Sequence, residues 1–147
     1  MFSDDLFFSL IHRIIHHPFL MRNIHYLHHR HKITVGLAAT YAHPFEFIFG
    51  DVLAVSSGAL ILGPRLHYWT FVCFLTYVQS NTINGHSGYY FPWSPFSILP
   101  LGTTAEYHDY HHSHSGNYSG HFMIWDTLFG GNTKYFEKIK KRYEKHH

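Results

Sequence analysis

Repeated histidine patterns constrain this chain of 147 residues more than any other feature of its sequence. The pattern H-x-x-x-H occurs at His12 and His16. The pattern H-x-x-H-H occurs twice, first at His25, His28 and His29 and again at His108, His111 and His112. Helical residues three or four positions apart share one face, so each pattern can present its imidazoles to a common point. A fold that joined the three patterns would gather eight imidazoles.

The composition favours a metal site over a charged surface, because 17 histidines stand beside 9 acidic and 11 basic residues. A zinc ion is saturated by about four ligands, so eight nitrogens imply two metals, and imidazole suits iron, zinc or copper. The sequence has a single E-x-x-H, Glu144 to His147 at the end of the basic tail, whereas a carboxylate-bridged di-iron bundle uses two, so that class is not indicated. Any single histidine is more often a surface or hydrogen-bonded residue than a ligand, so the prediction depends on the set.

The first histidines are predicted to lie on two helices that a proline separates. Apolar periodicity indicates a helix from Asp4 to His16, with Ser3 as its N-cap. Pro18 should end that helix, and a second one is expected from Phe19 to His31. Because an unbroken helix would turn the two groups of histidines to opposite sides, the break allows them to meet.

The middle of the chain is predicted to form an apolar helical hairpin, residues 47–63 and 66–79, with a turn at Gly63, Pro64 and Arg65. Each helix is shorter than the ~20 residues that cross a bilayer, so the hairpin either spans the membrane with flanking residues or dips in and returns. Both arrangements return the chain to the side it left. Residues 84–102 should then be an aromatic-rich loop, followed by a helical turn, a loop at 116–120, a short apolar element and a basic amphipathic helix.

The charge and the cysteine content argue against a nucleic-acid-binding protein and against a disulfide-bonded one. The net charge is +2, with the basic excess mostly in the tail, so nucleic-acid binding is not indicated. Cys73 is the single cysteine, so the chain can form no internal disulfide, and a reducing compartment fits.

Taken in order, "HRIIHH", "HYLHH", "YAHPFE", "HSGYYFPW", "AEYHDYHH" and "WDTLFGG" resemble the fatty acid hydroxylase and sterol desaturase superfamily, most closely its C4-methylsterol monooxygenase branch. The resemblance implies a protein of the endoplasmic reticulum membrane with a di-iron centre on the cytosolic face. It also implies O2 as oxidant, and electrons from NAD(P)H through cytochrome b5 and its reductase. Carried over by position, the metal ligands are His12, His16, His25, His28, His29, His86, His108, His111 and His112.

The expected fold is therefore all-α: a membrane-associated helical bundle with an apolar helical hairpin and a cytosolic-side, histidine-rich metal cap. Residues 1–147 form one fatty acid hydroxylase-type domain, apparently without the family's usual N-terminal transmembrane helices. The expected function is hydroxylation of a C4-methylsterol-like sterol in sterol or lipid biosynthesis. The alternatives are a desaturase or hydroxylase of fatty acyl lipids, a truncated inactive metal- or lipid-binding remnant, and a structural zinc protein. Expected partners are the lipid, the membrane, the electron donors and a further copy or different chain.

Several individual roles stay open. Asp109 is the favoured carboxylate for orienting an imidazole through its second nitrogen, with Glu106 and Asp126 as alternatives and a capping or surface role equally consistent. His43 could be a ligand or form a structural hydrogen bond. Five aromatic residues could line a lipid channel or anchor the chain at the membrane interface, namely Tyr89, Tyr90, Phe91, Trp93 and Trp125.

Overall fold

The computed structural model describes residues 1–32 and 34–146, the last of these by its backbone. Its α-helices are α1 Phe2–Ile15, α2 Pro18–Asn23, α3 Pro44–Glu46, α4 Leu53–Leu62, α5 Tyr68–Gly85, α6 Pro95–Ile98, α7 Ala105–Ser113, α8 Ile124–Leu128 and α9 Thr133–His146. Tighter or wider helical turns occupy His25–Arg30, Gly36–Thr40, Phe47–Val52 and Gly63–Arg65. Within these ranges no strand forms beyond an isolated bridge between Gly102 and Phe122. The expected all-α class is confirmed.

Pro18 divides the N-terminal region as predicted. Helix α1 ends at Ile15, and His17 has an extended backbone (ψ 136°) immediately before Pro18, the first residue of α2. The proline ring disfavours a helical conformation of the preceding residue, which explains the break. The predicted N-cap is wrong, because Ser3 lies inside α1 and Met1 stands at the cap position.

The predicted helix from Phe19 to His31 is wrong in its geometry. Helix α2 stops at Asn23, and His25–Arg30 continues as a 3-10 helix. That helix repeats every three residues, so its first and fourth side chains lie above one another. The rings of His25 and His28 accordingly stack, with their centroids 5.3 Å apart.

The predicted apolar hairpin is present, with the turn at Gly63–Arg65 between α4 and α5. Helix α3, the π-helical turn Phe47–Val52 and α4 run on as one helical rod of 22 residues, Pro44–Arg65. In the described part of the chain, this rod is the one helix long and apolar enough to cross a membrane. Of its most apolar 18-residue segment, 22% is buried.

The interior of the molecule is largely polar. Helix α1 packs against α4, and α5 packs against α7 and Gly36–Thr40, so these elements surround a central space. The apolar core is a small cluster of Tyr107, Tyr110 and Tyr135 with Met123 and Ile139 beside it. Most of the predicted ligand histidines are buried, whereas many large apolar side chains of the rod are exposed.

Candidate metal centre

The nine histidines predicted as ligands lie together in the interior, in two adjoining groups. The five-histidine group is His12, His16, His25, His29 and His111, and the four-histidine group is His28, His86, His108 and His112. Within each group, one ring nitrogen per residue lies within 4.8 Å of all the others. The rings of His29 and His112 have centroids 4.7 Å apart across the boundary. Ligation itself stays a prediction.

Each H-x-x-H-H pattern supplies both groups. His25 and His29 enter the five-histidine group while His28 enters the four-histidine group. In the second pattern His108 and His112 enter the four-histidine group, and His111 enters the other. On α7, at about 100° per residue, the positions i+3 and i+4 lie on opposite sides of position i. One triplet can therefore supply two neighbouring centres.

In the four-histidine group the Nε2 atoms point at one another. His86 Nε2 lies 3.0 Å from His108 Nε2, 3.2 Å from His112 Nε2 and 3.3 Å from His28 Nε2. Two nitrogens bound to one ion at about 2.1 Å are about 3.0 Å apart at a right angle and about 3.4 Å apart at the tetrahedral angle. The observed separations therefore suit a shared cation.

The five-histidine group has the same geometry. His25 Nε2 lies 3.0 Å from both His16 Nε2 and His29 Nε2, and His16 Nε2 lies 3.3 Å from His111 Nε2. The Nε2 atom of His12 is buried without a hydrogen-bond partner in the described structure. Such an unpaired buried acceptor is costly unless something positive satisfies it.

The second nitrogens fix where the ring protons lie. Backbone carbonyls accept from Nδ1–H of His12 (Tyr118 O, 2.9 Å), His86 (Thr82 O, 2.8 Å) and His111 (Gly116 O, 2.6 Å). A carbonyl can only accept, so each neutral ring carries its proton on Nδ1 and leaves Nε2 as a bare lone pair. Lone pairs that face each other repel, which a bound cation would convert into attraction.

The loop that receives His111 depends on a glycine. Gly116 has a φ of 130°, and a Cβ on it would lie 2.6 Å from the carbonyl oxygen of Gly131. A side chain there would disturb both the backbone and the carbonyl that holds His111.

Burial keeps these imidazoles neutral. It lowers the pKa of His29 to about 4, that of His16 to about 3 and that of His112 to about 2, with neighbouring imidazoles adding to the effect. For His12, His28, His108 and His111 the pKa lies well below its ordinary value for the same reasons. Neutral imidazole is the form that binds metals.

Glu46 is a candidate functional residue to which the sequence assigned no role. Its Oε1 lies 2.6 Å from Nδ1 of His25, and the carboxyl group is buried. A carboxylate on the second nitrogen orients a ligand histidine and raises its basicity. The signal in the sequence was the scarcity of acidic residues around it, because Glu46 and Asp51 are the only ones between Asp5 and Glu106.

The three predicted orienting carboxylates lie elsewhere. Asp109 is exposed and accepts from the Thr34 hydroxyl at 3.3 Å. Glu106 pairs with Arg142 on α9 at 2.7 Å. Asp126 is buried and accepts from Arg13, Tyr107 and the backbone N–H of Ser119, so it ties α1, α7 and the 116–120 loop together. These contacts do not support the expected role of Asp109 as the carboxylate that orients an imidazole. The carboxyl group that contacts a predicted ligand histidine on its second nitrogen is that of Glu46.

A cavity that is partly open to solvent adjoins both groups. Its histidines include His12 and His25 of the larger group and His28, His86 and His108 of the smaller. Apolar side chains that share the lining are Phe8, Phe47, Ala54, Val55 and Val78. The site can thus accept an apolar molecule beside the imidazoles.

The aromatic residues predicted to line a channel do not border this cavity. Tyr89, Tyr90, Phe91 and Trp93 are exposed, and Trp125 is half-buried. The channel interpretation is wrong for the cavity described, because the loop after α5 lies at the surface instead of over the site. The membrane-interface alternative is untouched by this finding.

The other histidines have local roles. His43 caps α3 by accepting from the backbone N–H of Phe45, and His17 caps α2 in the same way through Phe19. These capping contacts favour the structural alternative for His43. His31 packs against Tyr41, and His114 stacks on Tyr110. His147 lies outside the described residues.

Comparison with known proteins identifies the family of this chain. The sequence model of the fatty acid hydroxylase family matches residues 1–131. The very-long-chain aldehyde decarbonylase GL1-8 of Oryza sativa subsp. indica is 40% identical over 97% of this chain and 53% of that protein. Methylsterol monooxygenases 2-2 and 2-1 of Arabidopsis thaliana are 38% and 36% identical, over 90% and 93% of this chain and 50% and 55% of their own lengths.

The chain therefore spans about half the length of the curated relatives it matches. No solved structure matches it. The family match covers both H-x-x-H-H patterns, His86 and Glu46, and so includes every residue of the two histidine groups. The chain belongs to the fatty acid hydroxylase family.

Proposed function

We propose that this chain binds two iron ions, one in each histidine group, and hydroxylates a lipid with O2. The observation that carries the proposal is the convergence of nine neutral imidazoles with Nε2 separations of 3.0–3.3 Å. One ion cannot accommodate nine nitrogens, and the division into groups of five and four gives each ion a conventional number of ligands.

Iron is the metal that suits both the donors and the family. Imidazole nitrogen binds iron, zinc and copper, so the donor set alone does not choose among them. The family is one of hydroxylases, and hydroxylation of an unactivated carbon needs a redox-active metal. Bound iron would supply the reduction of O2, which no side chain can carry out.

The residues of this chain position that chemistry. Glu46 and the three backbone carbonyls hold the rings in one tautomer. The apolar side chains of the lining would hold a lipid carbon next to the imidazoles.

A sterol resembling a C4-methylsterol is the proposed substrate, supported by the two relatives named methylsterol monooxygenase and by the apolar cavity. The rice relative, named an aldehyde decarbonylase, favours a second candidate in which a very-long-chain aldehyde loses its carbonyl carbon. Fatty acyl hydroxylation or desaturation at the same centre is a third outcome.

The proposed setting is the endoplasmic reticulum membrane, with the rod Pro44–Arg65 inserted and the metal groups on the cytosolic side. Cytochrome b5 and its NAD(P)H-dependent reductase are the proposed electron donors. Helix α9 supports a donor site, because its exposed lysines and Arg142 offer positive charge to an acidic partner. The Glu106–Arg142 pair joins this helix to α7, which carries His108, His111 and His112.

The test is conversion of lipids by the chain loaded with iron, in membranes that contain cytochrome b5 and its reductase. We expect O2-dependent and NAD(P)H-dependent oxidation of a 4-methylsterol, measured by mass spectrometry with 18O2. A one-carbon-shorter product from a very-long-chain aldehyde would favour the second candidate. Tight zinc binding without turnover of any of the three lipid classes would contradict the proposal and indicate a structural or inactive chain.

A further inference from the structure

A second polar pair borders the same cavity outside the two histidine groups. Asp4 on α1 and His121 after the 116–120 loop are 2% and 8% exposed, and both line the cavity. Neither residue belongs to a predicted ligand pattern. Polar groups buried beside an apolar cavity are costly unless they serve the structure or a ligand.

Asn81 sets the state of His121. The Asn81 side-chain amide donates to the Gly120 carbonyl at 3.0 Å and to Nδ1 of His121 at 3.1 Å. Since Nδ1 accepts, the proton of the neutral ring lies on Nε2. Burial also lowers the pKa of His121 to about 4, so the ring is neutral at pH 7.

The resulting donor and acceptor face each other across a gap. His121 Nε2 lies 3.8 Å from Asp4 Oδ2, beyond hydrogen-bond distance. The other oxygen of Asp4 lies against the amino group of Met1. Oδ2 is buried, and in the described structure it has no hydrogen-bond partner. The gap thus offers one N–H donor and one anionic acceptor to the same small group.

We propose that Asp4 and His121 bind an unionised hydroxyl group of the lipid substrate. The hydroxyl oxygen accepts from Nε2–H of His121, and its proton is donated to Oδ2 of Asp4. An anionic headgroup is disfavoured, because it carries no hydroxyl proton to donate to Oδ2 of Asp4. The inference rests on the proposed function in that it takes this cavity as the lipid site, and it narrows the substrate class to neutral lipid alcohols.

The position of the pair suits such a role. Asn81 precedes His86 by five residues along and just beyond α5, which corresponds to about 7.5 Å of helix rise. His121 lines the same cavity as His86 and His108 of the four-histidine group, so one bound lipid can contact both. Phe8, Val55 and Val78 supply apolar surface for the remainder of the molecule.

The test is equilibrium binding of three matched probes to the full chain in detergent: cholesterol, its 3-methyl ether and cholesterol sulfate. The ether cannot donate a hydrogen bond, and the sulfate is anionic. We expect cholesterol to bind about tenfold tighter than the ether, the size of one charge-assisted hydrogen bond, with the sulfate weakest. His121→Phe should weaken binding of the alcohol and of the ether alike, because both oxygens accept from Nε2–H. Asp4→Asn should reduce the preference for the alcohol over the ether, because Oδ2 of Asp4 is the acceptor of the hydroxyl proton. Asp4→Asn should raise the relative affinity for the sulfate.

Asp51→Asn is the matched control, because Asp51 is another carboxylate on the lining of the same cavity, in the π-helical turn Phe47–Val52. It should leave the three affinities in their original order and ratio. Helix content and metal content are checked for every variant. Equal binding of cholesterol and its ether by the unaltered chain would overturn the inference, as would equal effects of Asp4→Asn and Asp51→Asn.

The failures of the two proposals are distinguishable, because binding is measured without turnover. A preference for the alcohol in a chain that oxidises no lipid would overturn the proposed function alone. Oxidation of lipids by a chain that binds ether and alcohol equally would overturn this inference alone.

Discussion

The two histidine groups are built from the same parts in different numbers. Each takes an i, i+4 pair from one H-x-x-H-H pattern and the i+3 histidine from the other. The five-histidine group adds the pair His12 and His16 from α1, whereas the four-histidine group adds His86 alone, at the end of α5.

The groups also differ in what surrounds them. His25 of the five-histidine group faces the carboxylate of Glu46, whereas the acceptor on His86 is the backbone oxygen of Thr82. Three of the four members of the smaller group line the cavity, against two of five in the larger. The comparison indicates a more saturated centre beside a more open one, and the open centre is where a lipid would approach.

The largest expected effect is a difference in metal loss between the two groups, because they contain different numbers of histidines. His108→Ala leaves three histidines in the smaller group, so we expect loss of about half of the bound metal and of lipid oxidation. His16→Ala leaves four histidines in the larger group, enough to hold an ion, so most of the metal should remain. Metal per chain is measured by plasma mass spectrometry after desalting.

Half-buried His43 provides the control for that pair, because it caps α3 and belongs to neither group. His43→Ala should retain all the metal. Equal metal loss in His16→Ala and His108→Ala would contradict the contrast between a saturated and an open centre.

The second effect concerns Glu46, whose carboxyl group contacts His25 of the five-histidine group. Glu46→Gln weakens the hydrogen-bond acceptor that faces Nδ1 of His25, so metal affinity of the five-histidine group should fall about 10- to 100-fold while the other group is unchanged. Competition with a graded series of chelators measures the two affinities. Glu106→Gln, a carboxylate on the outer side of α7 paired with Arg142, is the control and should change neither.

The third effect is a dependence of metal-free stability on pH. Burial lowers the pKa of His29 from 6.5 to about 4, so the unfolded chain takes up protons at higher pH than the folded one. This contribution is fully present above about pH 6.5 and is lost as pH falls towards 4, at about 1.4 kcal/mol per pH unit for one group. Chemical unfolding at a series of pH values measures it, and His29→Gln should flatten the curve.

The two groups should also differ in that titration. The pKa of His112 lies lower, at about 2, so His112→Gln and His29→Gln should flatten the curve about equally above pH 4, and only His112→Gln should go on flattening it below pH 4. An identical curve for His29→Gln and the unaltered chain would contradict the assignment of a buried neutral ring at that position.

The smallest effect is expected at the surface. Arg142→Gln breaks the pair with Glu106, in which Arg142 is 56% exposed, so the free energy of unfolding should change by less than about 1 kcal/mol. Metal binding by both groups should be unaffected. Loss of metal from either group in this variant would show that α9 supports the site.

The meeting of the histidines of the three patterns could be predicted from the sequence, because the spacing within each pattern is local information. Pro18 and the patterns around His12 and His108 report helix breaks and helix faces directly. The 3-10 geometry of His25–Arg30 could not be read in this way, because a spacing of three or four residues suits either helix.

The residues that the sequence analysis missed act over long distances. Glu46 lies 21 residues from His25, and Asp4 lies over a hundred residues from His121, so no periodicity relates them. Likewise, the division of each triplet between two groups depends on how α7 and His25–Arg30 pack together. That packing is a tertiary property, which single-sequence patterns do not contain.

The central claim is that nine histidines hold two metal ions. The most direct test is the amount of iron bound per chain after anaerobic reconstitution, combined with Mössbauer spectroscopy of 57Fe-loaded protein. The account predicts two irons per chain in two distinct nitrogen-rich environments. A single iron, or two irons that both remain in His16→Ala/His108→Ala, would contradict it.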